Sequence, residues 1–139
     1  EEWFTASRGQ GAQLNGRKLR VSALRDGGRA IVATGFPFRY PDLMPRQYTL
    51  LQSVLQEIAD VRRLGSASLD LCFVAANRVD AFFEMGLKPW DICAGILIAQ
   101  EAGAIVTDLA GQHTMLDSGN IVAANTYLHS ILLQQIAAA

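Results

Sequence analysis

The sequence predicts a mixed-sheet α/β fold, and three observations carry that expectation. β-Branched runs alternate with stretches of helical periodicity, as layered α/β folds require. A tight-turn signal near the start announces a leading hairpin. The composition, 50% hydrophobic and 18% charged over 139 residues, is that of a packed core and lies within the size range of one domain.

Residues 3–7 and 11–14 are short strand candidates. Asn15-Gly16 supplies the positive φ angles of a two-residue hairpin turn, and residues 17–21 form the returning strand. Ala30 to Thr34 is a β-branched run that stops at Gly35-Phe36-Pro37. Residues 41–58 read as a helix, with Tyr48, Leu51, Val54, Leu55 and Ile58 on its apolar face and Pro45 in its first turns. A short strand over 61–64 leads to a second helix over 66–77, whose expected inner face is Leu69, Cys72, Phe73 and Ala76. A strand over 79–84 runs through Gly86 and Pro89 into a third helix over 90–102, closed by Gly103. Strands over 105–107 and 121–124, separated by a polar loop, precede a last helix over 126–136.

No apolar run is long enough to span a bilayer, and no basic start precedes an apolar stretch, so the expected location is the cytoplasm. Cys72 and Cys93 lack the close pairing of zinc ligands and read as buried, reduced thiols. The net charge of −1 is unevenly spread. Residues 1–63 hold ten Lys/Arg against six Asp/Glu, and residues 64–139 hold two against seven. A basic half suits phosphate or RNA and an acidic half suits a cation; a solvated surface with uneven charge is the plainer reading. The chain opens on Glu1 rather than Met, and Glu1-Glu2-Trp3-Phe4-Thr5-Ala6 reads as the interior of a strand. It is expected to be part of something longer, with an unpaired edge and exposed Trp3 and Phe4 that favour association.

The segment Glu84-Met85-Gly86-Leu87-Lys88-Pro89-Trp90-Asp91 ends a strand on one carboxylate and opens a helix near another. Both fall at the carboxyl end of the sheet, where α/β proteins bind ligands. Asp91 has the chemistry of a magnesium ligand, yet an aspartate at a helix start also serves as a cap; both readings stand. In Arg62-Arg63-Leu64-Gly65-Ser66-Ala67-Ser68, small residues open a helix and leave backbone N–H groups free for oxygen ligands, or Ser66 is simply the N-cap. The serines do not form the nucleophile elbow of serine hydrolases. Gly9-Gln10-Gly11 lacks the third glycine of a dinucleotide loop and reads as a hairpin bulge. His113 and His129 are expected to be solvated.

Four ordered blocks carry a family resemblance. Thr5-Ala6-Ser7-Arg8-Gly9-Gln10-Gly11-Ala12 with Asn15-Gly16, then Arg63 through Cys72, then Glu84 through Asp91, then Glu101-Ala102-Gly103-Ala104 with Thr107-Asp108 resemble the inositol monophosphatase family over residues 3–126. Thr34-Gly35-Phe36-Pro37-Phe38 and the double arginine resemble its bacterial suppressor-type subgroup. The resemblance implies the carboxy-terminal half of a layered αβαβα sugar-phosphatase fold. It further implies a homodimeric, lithium-sensitive enzyme that uses magnesium to hydrolyse inositol monophosphate or a similar small phosphate monoester. Position by position, Asp91 would ligate the metal, Glu84 would bind a substrate hydroxyl, and Gly65, Ser66 and Ala67 would line the inositol ring. Arg62 would reach the substrate or support its loop, and Arg63 would belong to a subunit interface.

The family's Asp-Pro-x-Asp-Gly-Thr block and its upstream acidic pair do not occur, so no catalytic residue is expected in these 139 residues and the chain alone is expected to be inactive. Residues 1–34 are expected to be the end of an amino-terminal sheet and residues 35–139 the carboxy-terminal α/β unit. The subgroup also implies an alternative: a non-catalytic partner of the transcription machinery in ribosomal RNA antitermination, in contact with RNA or antitermination factors. The resemblance also leaves open related phosphatases acting on fructose bisphosphate, phosphoadenosine nucleotides or inositol polyphosphates, which share the Trp-Asp pair.

Overall fold

A computed structural model describes all residues, 1–139. Its leading element is a three-stranded antiparallel sheet of β1 (Phe4–Ala6), β2 (Ala12–Leu14) and β3 (Arg17–Lys18). The β2–β3 turn is the expected one, with Asn15 at φ 50° and Gly16 at φ 80°. Asn15 also accepts a hydrogen bond from Trp3 N, so the turn residue holds the first strand as well.

The larger sheet has five strands in the order β5 (Asp60–Arg63), β4 (Ile31–Thr34), β6 (Ala81–Glu84), β8 (Ile121–Ala124), β7 (Ile105–Thr107). β4 is parallel to both β5 and β6, while β8 is antiparallel to β6 and β7. The sheet is therefore mixed, as expected. Residues 31–34, grouped with the hairpin in the sequence reading, lie well inside this larger sheet.

Helices cover both faces. α1 (Met44–Val54) and α5 (Thr126–Ala138) pack Leu50, Val54, Leu128, Leu132 and Ile136 against Val32, Phe83, Val122 and Ala124. On the opposite face α2 (Ala67–Ala75) and α3 (Pro89–Glu101) bring Leu71, Val74, Ile92, Ile96 and Ala99 against Ala33, Phe82, Ile121 and Ala123. The outer side of this second helical layer is covered by the hairpin sheet, where Ala12 and Leu19 meet Cys72, Ala75, Ile98 and Ala102. The layers thus run helix, sheet, helix, sheet. A short α4 (Met115–Ser118) interrupts the loop before β8, where only a polar loop was expected. No helix is long and apolar enough to cross a membrane.

Two helical faces differ from expectation. The helix expected over 41–58 is a 3-10 turn at Pro41–Leu43 followed by α1, and its buried residues are Gln47, Leu50, Ser53 and Val54. Tyr48 is 58% and Leu55 49% exposed. Polar contacts set this rotation. Gln47 Nε2 donates to Gly35 O (2.9 Å) and Thr34 Oγ1 (3.2 Å), and Ser53 Oγ donates to Gln135 O (2.7 Å). In α2, Leu69 is exposed while Asp70, Leu71, Val74 and Ala75 are buried, because two layers rather than one enclose the helix.

Candidate active site

The three parallel strands end side by side, and their carboxyl ends open into a cavity of about 340 Å³. Its walls are the 35–39 segment after β4, the 63–68 segment between β5 and α2, and the 84–91 segment between β6 and α3. This is the edge at which α/β sheets bind ligands.

Glu84 is the last residue of β6 and faces the α2–α3 side, like Phe82 two residues earlier. Gly35 leaves it room, since a Cβ at that position would lie 2.1 Å from Glu84 Oε1. Burial pushes the Glu84 carboxyl up to about 7. The charges of Asp70 and Asp91 contribute to that rise, and Arg63 and Arg39 oppose it.

Asp91 sits in the first turn of α3, where its Oδ2 accepts a hydrogen bond from Lys88 N (2.9 Å). The capping role and the cavity position therefore belong to one side chain. Arg39 Nη1 lies 3.3 Å from the same oxygen. The 84–91 segment is held from outside by Gly119, whose carbonyl accepts from Leu87 N (2.9 Å) and whose Cβ, if present, would lie 2.4 Å from Leu87 O.

Gly65, Ser66 and Ala67 form the third wall. Gly65 has φ 97°, and any side chain there would meet Arg63 Nη1 at 2.7 Å. Ser66 occupies the N-cap position of α2 without capping it through its side chain; its Oγ lies 3.2 Å from Ser68 Oγ. The first-turn backbone N–H groups of α2 therefore lack a side-chain cap, and Ser66, Ala67 and Ser68 line the cavity.

Arg62 stands apart from the site residues expected with it. It lies on the edge strand β5, paired with Asp60 through a 2.5 Å contact, and does not line the cavity. Arg63, expected at a subunit interface, lines the cavity, with its guanidinium 5.8 Å from the centre of the Phe38 ring. The sequence reading also missed Asp70. It is 1% exposed, neither carboxylate oxygen has a hydrogen-bond partner, and burial pushes it up to about 7, with Arg63 opposing. A lone carboxylate inside Leu69-Asp70-Leu71-Cys72 was the available signal.

Other candidates resolve away from the cavity. His129 is buried, not solvated, and its Nε2 is 2.8 Å from Thr107 Oγ1; burial lowers its pKa. Cys72 is buried as expected but Cys93 is exposed, and both are free thiols. Asp108 accepts hydrogen bonds from Ala110 N, Gln112 N and Thr114 Oγ1 and organises its own loop. Glu101 accepts from Gly11 N (2.8 Å), tying α3 to the hairpin sheet.

Asp91, Glu84 and Ser66 offer oxygen donors, and no group of three or more His, Cys, Asp or Glu side chains is placed to enclose a metal. That set fits magnesium, which binds through one or two carboxylates, waters and substrate phosphate rather than a full protein cage.

Such an arrangement, a sheet-end cavity walled by a strand-end glutamate and two helix starts, is that of a layered α/β protein. The chain belongs to the inositol monophosphatase family, whose pattern it matches over residues 1–139. It is 50% identical over 135 residues to Nus factor SuhB of Haemophilus influenzae, aligning 97% of this chain with 51% of that protein. Against Nus factor SuhB of Escherichia coli K12 it is 54% identical over 124 residues, covering 89% of this chain and 46% of the relative. The chain thus spans about half the length of the curated relatives it matches. The crystal structure of extragenic suppressor protein suhB from Bartonella henselae superposes with a TM-score of 0.92 at 41% identity, over 97% of this chain and 52% of that one. Inositol monophosphatase from Anabaena superposes with a TM-score of 0.88 at 32% identity, over 100% and 55%.

Proposed function

We propose that this chain supplies the alcohol-recognition side and one metal ligand of a magnesium-dependent phosphatase acting on inositol monophosphate or a similar small phosphate monoester. The convergence of Glu84, Asp91 and residues 65–67 on one cavity carries this reading. Glu84 accepts hydrogen bonds from a ring hydroxyl, and the start of α2 orients the ring through backbone N–H groups. Asp91, its Oδ2 fixed by the Lys88 N–H, presents its carboxylate to the metal. Bound magnesium supplies charge that polarises the phosphoryl oxygen and acidifies the attacking water. The remaining metal ligands and the water-activating group come from elsewhere in the protein, so these 139 residues alone are inactive. In this reading the hairpin sheet is the end of a larger amino-terminal sheet, and the protein is a lithium-sensitive, cytoplasmic homodimer.

Phosphate release from inositol 1-phosphate by the protein in its full natural length tests the proposal. Magnesium-dependent turnover that Asp91→Asn lowers at least a hundredfold is expected. Turnover indifferent to Asp91 or to magnesium removal would refute it.

The relatives named Nus factor SuhB favour a second reading, a partner of the transcription machinery in ribosomal RNA antitermination. The surplus of positive charge in residues 1–63 suits it. Binding to RNA or antitermination factors would then weaken with salt and with loss of Arg62. Salt-indifferent binding would count against it.

A further inference from the structure

The 35–39 segment carries Arg39 onto the cavity wall, 3.3 Å from Asp91 Oδ2. We infer that Arg39 is the resident counter-ion of Asp91, so that a divalent cation at this carboxylate binds in competition with the guanidinium. The inference rests on the reading of Asp91 as a metal ligand.

Three features make the arginine a competitor rather than a support. Asp91 is already oriented by the Lys88 N–H at 2.9 Å, so its position does not depend on Arg39. The Arg39 contact, at 3.3 Å, is longer than the 2.7–2.9 Å of a strong charge-assisted bond, and the Arg39 side chain is 57% exposed against 24% for Asp91. A partner that solvated is readily exchanged for a divalent ion. The loop nevertheless keeps the guanidinium close: Pro37 and Pro41 flank it, and the Phe36 and Phe38 rings pack 5.8 Å apart.

The charge balance points the same way. Arg39 and Arg63 are the two arginines on the cavity wall that Glu84 and Asp91 share. Adding a divalent ion next to Asp91 puts positive charge beside a guanidinium on the same carboxylate. Of the two arginines, only Arg39 is paired to Asp91.

Terbium(III) displacement by magnesium in the protein at its full natural length reads this directly. Trp90 adjoins Asp91 and is 72% exposed, so it can sensitise luminescence from an ion bound there. A component of that signal should vanish in Asp91→Asn. Arg39→Gln should tighten magnesium binding at that component by about two- to fivefold, the range of an exposed ion pair. Arg63→Gln, which removes the same charge from another part of the wall, should tighten it clearly less. An unchanged or weaker affinity in Arg39→Gln overturns the inference while leaving Asp91 as a ligand. Equal tightening in Arg63→Gln overturns it too, because a diffuse field would then explain the result. A signal unaffected by Asp91→Asn takes down the ligand assignment and the competition together.

Discussion

Replacing Asp70 by asparagine should flatten the dependence of stability on pH. The wild-type carboxyl is closed to solvent, and no donor reaches either oxygen. Burial therefore moves it from its ordinary 3.8 up to about 7, with the Arg63 guanidinium pulling weakly the other way. A group with a raised folded pKa binds its proton more tightly in the native state. Between pH 3.8 and about 7 the native protein holds more protons than the unfolded chain, so stability falls as pH rises through that window. Below it the penalty is absent; above it the penalty is complete, up to about 4 kcal/mol. Asparagine has nearly the same shape and cannot ionise. Urea unfolding at pH 5 and pH 8.5 should show the wild type losing about 3 kcal/mol more than Asp70→Asn across that interval. Parallel profiles, or a variant less stable than wild type at pH 8.5, would refute the reasoning and place a donor beside Asp70 in solution.

Two further outcomes follow from local geometry. Gly35→Ala puts a methyl group 2.1 Å from Glu84 Oε1, and the flexible end of Glu84 must vacate its place. Under the proposed phosphatase reading, KM for inositol 1-phosphate in the protein of full natural length should rise at least tenfold with a stability loss of about 1–2 kcal/mol; a larger loss in urea unfolding with unchanged KM would show that the glycine serves packing alone. A thiol reagent should label Cys93 in the native protein and spare Cys72, which is buried with its thiol pushed up to about 11. Rapid labelling of both, counted by mass, would mean that α2 opens readily.

Much of the element order was legible because it depends on local chemistry. Asn15-Gly16 demands positive φ wherever it falls, and the structure has it there. Pro89 at the first position of α3 and Gly65 ahead of α2 mark helix starts that any tertiary context would keep. Faces were less legible than elements. The stripe Tyr48, Leu51 and Leu55 is a good helical pattern, but Gln47 and Ser53 find partners on β4 and α5 and turn the helix so that Tyr48 and Leu55 point outward. His129 was misread for a similar reason: its neighbour Thr107 lies 22 residues away in sequence and beside it in space. Arg39 and Gly35 entered the cavity only through the strand order, which places β4 between β5 and β6.

The four blocks that carry the family resemblance divide by what they do. Residues 63–68 and 84–91 wall the cavity. In the other two, Glu101 accepts a hydrogen bond from Gly11 N, Ala102 O accepts one from Val21 N, and Asp108 shapes its own turn. Those contacts join the outer sheet to α3, and α3 carries Asp91. A motif at the far side of a helix can thus matter as much to a ligand's position as one that touches the cavity, since 0.5 Å of misplacement already spoils a site. The electrostatics make the same division. A buried carboxylate is tolerated when it keeps its proton or when a nearby cation offsets its charge. Arg63 opposes the raised pKa of both Asp70 and Glu84, and of these two carboxylates only Glu84 lines the cavity.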